Sequence, residues 1–307
     1  MSDSRGGPNL LGAGSKWPAL PFGEWRDTCA TLHMWSQVVG KLAIPATALV
    51  NHHWNLTLHY AARGLCTLPI NCPDGRTLVA TFDFVSHELL LAASDGRVGK
   101  LRLEPRTVAD FHAAVLATLE QMGIAIRVWP MPVEIPDPIR FDQDTLHRSY
   151  DAPWAHAFWR ALDSMRPVFE EFRARFVGKC SPVHFFWGSF DLAVTRFSGR
   201  RTPERPGADA MVREAYSHEV ISHGFWPGSG ATDASFYAYA APEPAGFADA
   251  RVQPLEASYS REHKEFLLPY EAVRAAASPE KALMSFLEST YEAGATLGKW
   301  DRTALER

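Results

Sequence analysis

The sequence is poor in cysteine, and its cysteines show no metal-binding spacing. It has four of them in 307 residues, at Cys29, Cys66, Cys72 and Cys180. Zinc-binding motifs place paired cysteines closer together than Cys66 and Cys72. We therefore expect four reduced thiols and a cytoplasmic protein.

Several motifs of familiar function classes are also absent. The chain contains no GxGxxG fingerprint, no P-loop and no GxSxG elbow, which argues against common redox nucleotide enzymes, kinases and serine hydrolases. The formal net charge is −4 and no basic stripe is visible, so we expect no nucleic-acid partner. The uncharged stretch 42–62 contains proline, asparagine and three histidines, so we expect no membrane partner either.

The chain is rich in aromatic residues and in alternating helix and strand patterns. It has 10 tryptophans and 18 phenylalanines, which are expected to dominate the buried surface. Apolar spacing and capping residues predict long helices over 24–39, 107–122, 153–176 and 279–297. Alternation predicts strands at 53–63 and 124–129 and in three runs between 77 and 105, with a turn at Asp95-Gly96.

This order of elements predicts an α+β fold, a largely antiparallel sheet flanked by helices. We expect a flexible tail over residues 1–16 and a single unit over 17–307. Four prolines between Pro130 and Pro138 predict a surface strap over 130–149. Similar tryptophan-to-arginine spacings, Trp54 to Arg63 and Trp187 to Arg196, suggest two helix–strands–helix pseudo-repeats over about 17–129 and 150–300.

Several long segments together resemble a bacterial family of unknown function, the one numbered five-nine-nine-six. They are "WPMPVEIPDP", "GKCSPVHFFWGSFDLAVTRFSGRR", "EAYSHEV", "GFWPG" and "EFLLPY". The resemblance extends from Trp17 to the C-terminal helix and implies one continuous unit. It implies no activity, cofactor or catalytic residue.

The stretch 179–201 is the best candidate for a site, because it places His184 and Asp191 within an aromatic run. Buried ionisable groups are unfavourable for folding unless they are paired, and a functional site is one reason to keep them. His218 and Glu219 follow on what reads as a loop. We expect His184, His218, Glu219 and Asp191 to supply acid–base chemistry, with His184 within about 8 Å of His218 or Glu219.

The hypothesis that follows is a pocket for a small polar or anionic molecule, lined by aromatic side chains. The ligand-binding candidates are His53, Arg63, Trp187, Arg196, Tyr216 and Trp226. Two alternatives stay open: a metal-dependent enzyme that uses His184, His218 and Glu219 around a divalent metal, and a binding module without catalysis. His218 and His223 are five apart, which does not fit a zinc-protease helix. The sequence leaves the oligomeric state and the identity of the ligand open.

Overall fold

The computed structural model describes residues 16–204, 206–230 and 232–307. The predicted flexible tail, residues 1–16, lies outside these ranges except for Lys16. Lys16 is anchored, because its ammonium group pairs with Glu280 at 2.7 Å and its carbonyl accepts a hydrogen bond from the Ser164 hydroxyl. In the described ranges, no helix is both long enough and apolar enough to cross a membrane.

The first half of the chain forms a helix, six strands and a second helix. The helices are α1 (Phe22–Gly40) and α2 (Val108–Gln121). The strands are β1 (Leu58–Ala61), β2 (Gly64–Thr67), β3 (Ile70–Asn71), β4 (Thr77–Asp83), β5 (Glu88–Ala93) and β6 (Val98–Arg102). The sequence predicted both helices and the last three strands. Helix α2 begins after Thr107, whose side chain accepts a hydrogen bond from the Asp110 backbone, as an N-cap does.

The second half repeats this order with additional short helices. Its long helices are α3 (Ala152–Ala174) and α6 (Pro279–Leu297), and its short ones are α4 (Ala210–Ala215), α5 (Tyr270–Ala275) and α7 (Arg302–Leu305). The strands are β7 (His184–Phe186), β8 (Asp191–Arg201), β9 (His218–Ser229), β10 (Thr232–Ala241), β11 (Ser258–Ser260) and β12 (Glu265–Pro269).

The strands join in one 12-stranded sheet, which confirms the predicted α+β class. The order is β11-β12-β10-β9-β8-β7-β1-β2-β4-β5-β6, with β3 paired to β4. Neighbouring strands run antiparallel, and the halves meet where Leu58 of β1 pairs with Phe185 of β7. Outward from this junction the strands lie in nearly sequential order, except that β3 lies off the path and β12 lies between β10 and β11. Duplication itself stays a prediction.

Three local predictions were wrong. Residues Asn51–Leu56 form a 3-10 segment rather than the start of a strand, with a kink at His52 and His53, whose φ of 59° is not helical. Residues 124–129 form no strand. His218 and Glu219, expected on a loop, begin β9. The alternation of large and polar residues in 53–57 imitated a strand that the backbone does not form.

The two faces of the sheet in the second half have different roles. One face packs against the helices and carries Val194 and Phe225, while Phe172 of α3 contacts His223 on the same face. The other face is covered by the 3-10 segment, by α4 and by part of the strap at 130–149. A cavity remains between this face of the sheet and the segments that cover it.

Candidate functional site

A cavity of about 740 Å³ lies between β8, β9, β10 and β12 and the segments that cover them. Alternate residues of each strand face it, as the strand period requires. The strands contribute Asp191, Ala193, Thr195, Phe197, Val220, Ser222, Trp226, Ser235, Tyr237, Tyr239, Glu265 and Leu267. The covering segments contribute His52, His53, Trp54, Val133, Glu134, Met211, Val212, Ala215 and Tyr216. A volume of this size is typical of small-molecule sites.

Asp191 stands at one end of the cavity, at the first position of β8. Ser189 Oγ donates a hydrogen bond to its Oδ1 at 2.5 Å, and the Tyr237 hydroxyl donates to its Oδ2. Burial raises the pKa of Asp191, whereas these two hydrogen bonds lower it. Only 6% of the residue is exposed. The carboxyl group is therefore held in one orientation at the cavity wall.

Glu134 reaches the same end from the strap. It adopts a φ of 57°, which is unfavourable for a residue with a side chain. Its carboxyl group lies against Gly188, where a Cβ atom would come within 2.5 Å of Oε1. Burial and then the negative charge of Asp191 raise the pKa of Glu134. Gly188 leaves room for the Glu134 side chain, and the positive φ of Glu134 directs that side chain toward it. The carboxyl group therefore lies close to the cavity.

Glu265 completes the acidic end from β12. Burial, and then the negative charge of Asp191, raises its pKa to about 7. Tyr237 and Tyr239 stack on the neighbouring strand, with ring centroids 6.1 Å apart. Burial raises the pKa of both tyrosines, so they remain protonated donors. We call Asp191, Glu134 and Glu265 the acidic cluster.

The opposite end of the cavity carries His52. This residue is buried, and its ring lies 4.8 Å from that of Phe197 and 5.3 Å from that of Trp54. Lys179 Nζ lies 2.6 Å from His52 Nε2, while His52 Nδ1 has no hydrogen-bond partner among the described residues. The backbone N–H of His52 donates to Glu214 of α4, which fixes the two covering segments to each other.

The structure brings five of the ten sequence-predicted site residues to the cavity. They are Asp191, His53, Trp187, Tyr216 and Trp226. The aromatic members form much of the apolar wall, as the aromatic content of these segments suggested. The other five lie elsewhere.

His184 lies behind the wall rather than in it. It is fully buried, and its Nδ1 pairs with Thr57 Oγ1 at 3.0 Å. Burial lowers its pKa to about 3, with smaller contributions from His59 and Arg173. An imidazole that stays neutral and has no access to the cavity is a poor general acid or base near neutral pH.

His218 and Glu219 do not join His184. His184 pairs with Ala193 near the start of β8, whereas His218 pairs with Arg201 at its end. Glu219 is the next residue of β9 and so points to the opposite face from His218. Its carboxylate pairs with Arg200 at 2.6 Å and accepts a hydrogen bond from Ser198. The expected convergence of His184, His218 and Glu219 is therefore not found.

The two predicted arginines also lie away from the cavity. Arg63 occupies the turn between β1 and β2 and pairs with Asp83 at 2.6 Å. Arg196 is on the helix-facing side of β8, with its guanidinium carbon 3.4 Å from the centroid of Phe172 and 4.2 Å from that of Tyr291. It also donates to the Phe172 carbonyl. Arg196 is a core residue stabilised by cation–π contacts.

Metal-ligand geometry is not found in the described part of the chain. There, no group of three or more histidine, cysteine, aspartate or glutamate side chains is arranged to hold a metal ion. This includes the acidic cluster and the suggested set His184, His218 and Glu219. The metal-dependent alternative is therefore not taken further.

The polar residues of the cavity that sequence reasoning missed include Glu134, Glu265, Tyr237, Tyr239 and His52. A signal existed for three of them, because Tyr237 and Tyr239 share one face of β10, and Glu265 shares a face with Leu267 on β12. Nothing local marks Glu134, which reaches the cavity only because the strap folds back onto Gly188.

Comparison with known proteins identifies the family of the chain. The model of a family of unknown function, DUF5996, matches residues 17–307. The chain belongs to the DUF5996 family. No curated protein and no solved structure matches this DUF5996 chain. The match begins at Trp17, as the resemblance of the sequence motifs indicated, and includes the C-terminal helix.

Proposed function

We propose that this DUF5996 protein binds a small polar organic molecule in the cavity. The observation that carries the proposal is the cavity itself, about 740 Å³ in volume, with aromatic walls and a few fixed polar groups. This combination is typical of ligand sites, where apolar walls supply affinity and polar groups select the ligand. Because Arg63 and Arg196 lie elsewhere, an anionic ligand is not carried forward.

A thermal-shift screen of small organic metabolites tests the proposal. A ligand at 100 times its Kd stabilises a protein by about 2.7 kcal/mol, which raises the melting temperature measurably. At least one compound should stabilise the wild type but not Ala193→Phe, which fills the cavity floor. Ala215→Trp fills it from α4 and serves as a second variant if Ala193→Phe folds poorly.

The matched control is Ala92→Phe, the same change at an exposed position of β5. It should leave the stabilisation intact. The proposal is wrong if no compound stabilises the wild type, or if the cavity-filling variants respond as the wild type does.

Acid–base catalysis is a second candidate function, and Glu265 is the observation that favours it. A carboxyl group with a pKa of about 7 both gives and takes protons near neutral pH. A bound compound should then be chemically altered by the wild type and not by Glu265→Gln, as followed by mass spectrometry. Recovery of the compound unchanged from both proteins would leave binding alone as the function.

A further inference from the structure

We propose that the cavity binds a small organic cation, whose positive charge lies against the acidic cluster. This inference rests on the proposed function, because it names the chemical class of the ligand for the same cavity. The charge distribution of the cavity and its aromatic walls support it.

The negative groups of the cavity are concentrated at one end, whereas Lys179 lies beside His52 at the other. Asp191, Glu134 and Glu265 come from three separate elements, β8, the strap and β12, and face one space. Of the described residues that line the cavity, none is a lysine or an arginine. The negative charge of Asp191 raises the pKa of Glu134 and of Glu265, so Asp191 repels each of them when both groups are ionised. Buried charges of one sign are unfavourable unless a counter-charge pairs with them. A cationic ligand supplies that charge.

The walls beside the acidic cluster also favour a cation. Trp187, Trp226 and Tyr237 line the cavity, and the faces of such rings attract positive charge. Lys41 already lies 5.7 Å from the centroid of Trp187, although it does not itself line the cavity. An anion would be repelled both by the ring faces and by the carboxylates.

A neutral polyhydroxy ligand is the main rival, because hydroxyl groups also donate to carboxylates. Three probes of similar size separate the possibilities: 2-phenylethylammonium, 2-phenylethanol and 3-phenylpropanoate. Calorimetric titration of the full chain at about pH 8 keeps Glu265 ionised. We expect the cation to bind at least about tenfold more tightly than the alcohol, and the carboxylate to bind most weakly.

Glu265→Gln is the variant that tests the charge, and Glu262→Gln is its matched control. Both changes remove one formal charge from the same hairpin, but Glu262 is exposed and does not line the cavity. Glu265→Gln should weaken binding of 2-phenylethylammonium about tenfold and leave 2-phenylethanol unchanged. Glu262→Gln should change neither.

The outcomes distinguish this inference from the proposed function. Equal affinity for the cation and the alcohol, or equal effects of the two variants, overturns the cationic class and leaves a small-molecule site in place. Failure of all three probes to bind the wild type also overturns the cationic class. The proposed function then stands or falls on the metabolite screen.

Discussion

The fold shifts the pKa of Glu265 into a range that experiments can follow. Its pKa rises from the usual 4.5 to about 7, first through burial and then through Asp191. The folded protein therefore holds this proton more tightly than the unfolded chain does. The resulting stabilisation is fully present below about pH 4.5 and is lost as the pH rises through about 7.

We predict that Glu265→Gln flattens this part of the pH dependence. Between about pH 5 and pH 8, the wild type should lose about 1–2 kcal/mol more unfolding free energy than the variant, after allowance for the partial exposure of the group. Urea unfolding at each pH measures the difference, with Glu262→Gln as the control. Parallel curves for wild type and Glu265→Gln would contradict the burial of this charge. The other ionisable groups facing the cavity near it are Asp191, Glu134, Tyr237, Tyr239 and His263.

Phe185 and Phe186 form a matched pair of neighbouring residues on opposite faces of β7. Phe185 is fully buried and contacts Phe158 of α3, whereas Phe186 is half-buried and lines the cavity. Phe185→Ala should lower the free energy of unfolding by about 3–5 kcal/mol. Phe186→Ala should lower it by roughly 1–2 kcal/mol, because its ring already borders open space. Denaturant unfolding of both variants checks the assignment, and equal losses would contradict it.

The sequence singled out 179–201 as an aromatic run, and the β7–β8 hairpin within it occupies the middle of the sheet. It did not predict the turn at 187–190, where Phe190 adopts a φ of 61°. It also did not show which face borders the cavity, because both faces of the run are apolar.

At the scale of elements, the strap is the segment on which the acidic end depends. Gln37 of α1 holds it with two hydrogen bonds, since its Nε2 donates to the Val133 carbonyl at 2.9 Å and its Oε1 accepts from the Val133 N–H at 2.8 Å. These bonds fix the residue that precedes Glu134. Proline content predicted an irregular strap, but only tertiary contacts determine where it lies.

Gln37→Leu should release this segment, because it leaves a backbone N–H and a carbonyl without partners. Such a loss amounts to about 1–3 kcal/mol for each buried group left unpaired. We predict faster proteolysis within 130–138 and weaker binding of 2-phenylethylammonium, with the helical signal unchanged. Gln143→Leu, in the 3-10 turn of the strap (Phe141–Gln143), is the control. If both variants are cleaved at the wild-type rate, the Gln37 contacts do not restrain the strap.

At the scale of the whole molecule, composition and periodicity predicted the class of the fold and most long elements, but only part of the site. Helices 107–122 and 279–297 were predictable because capping residues and turn signals are local. The acidic cluster was not, because Asp191, Glu134 and Glu265 are far apart in sequence and meet only through sheet order and the folded strap. His184 was chosen as a candidate because its neighbours in the sequence are apolar. Those same neighbours bury it behind the cavity wall.

The two halves share one core, which leads to a prediction about cooperativity. Helix α1 belongs to the first half, yet Trp25 stacks on Phe158 of α3 with centroids 5.2 Å apart, and the backbone of Phe22 donates to Asp233 of β10. Strands β1 and β7 pair with each other at the centre of the sheet. Separating the halves would expose these rings and two unpaired strand edges at once.

We therefore predict a single unfolding transition, with coincident curves from tryptophan fluorescence and far-ultraviolet circular dichroism. Fragments 17–129 and 150–307, expressed alone, should aggregate or remain unfolded, because an open strand edge beside exposed aromatic residues favours association. Mixing them from denaturant should recover structure if the interface between them drives folding. Two separate transitions, or a stable fragment released by cleavage within 130–138, would show that the halves are independent domains. The aromatic contacts between α1 and α3 make that outcome unfavourable, because each half would then have to bury Trp25 or Phe158 without its partner.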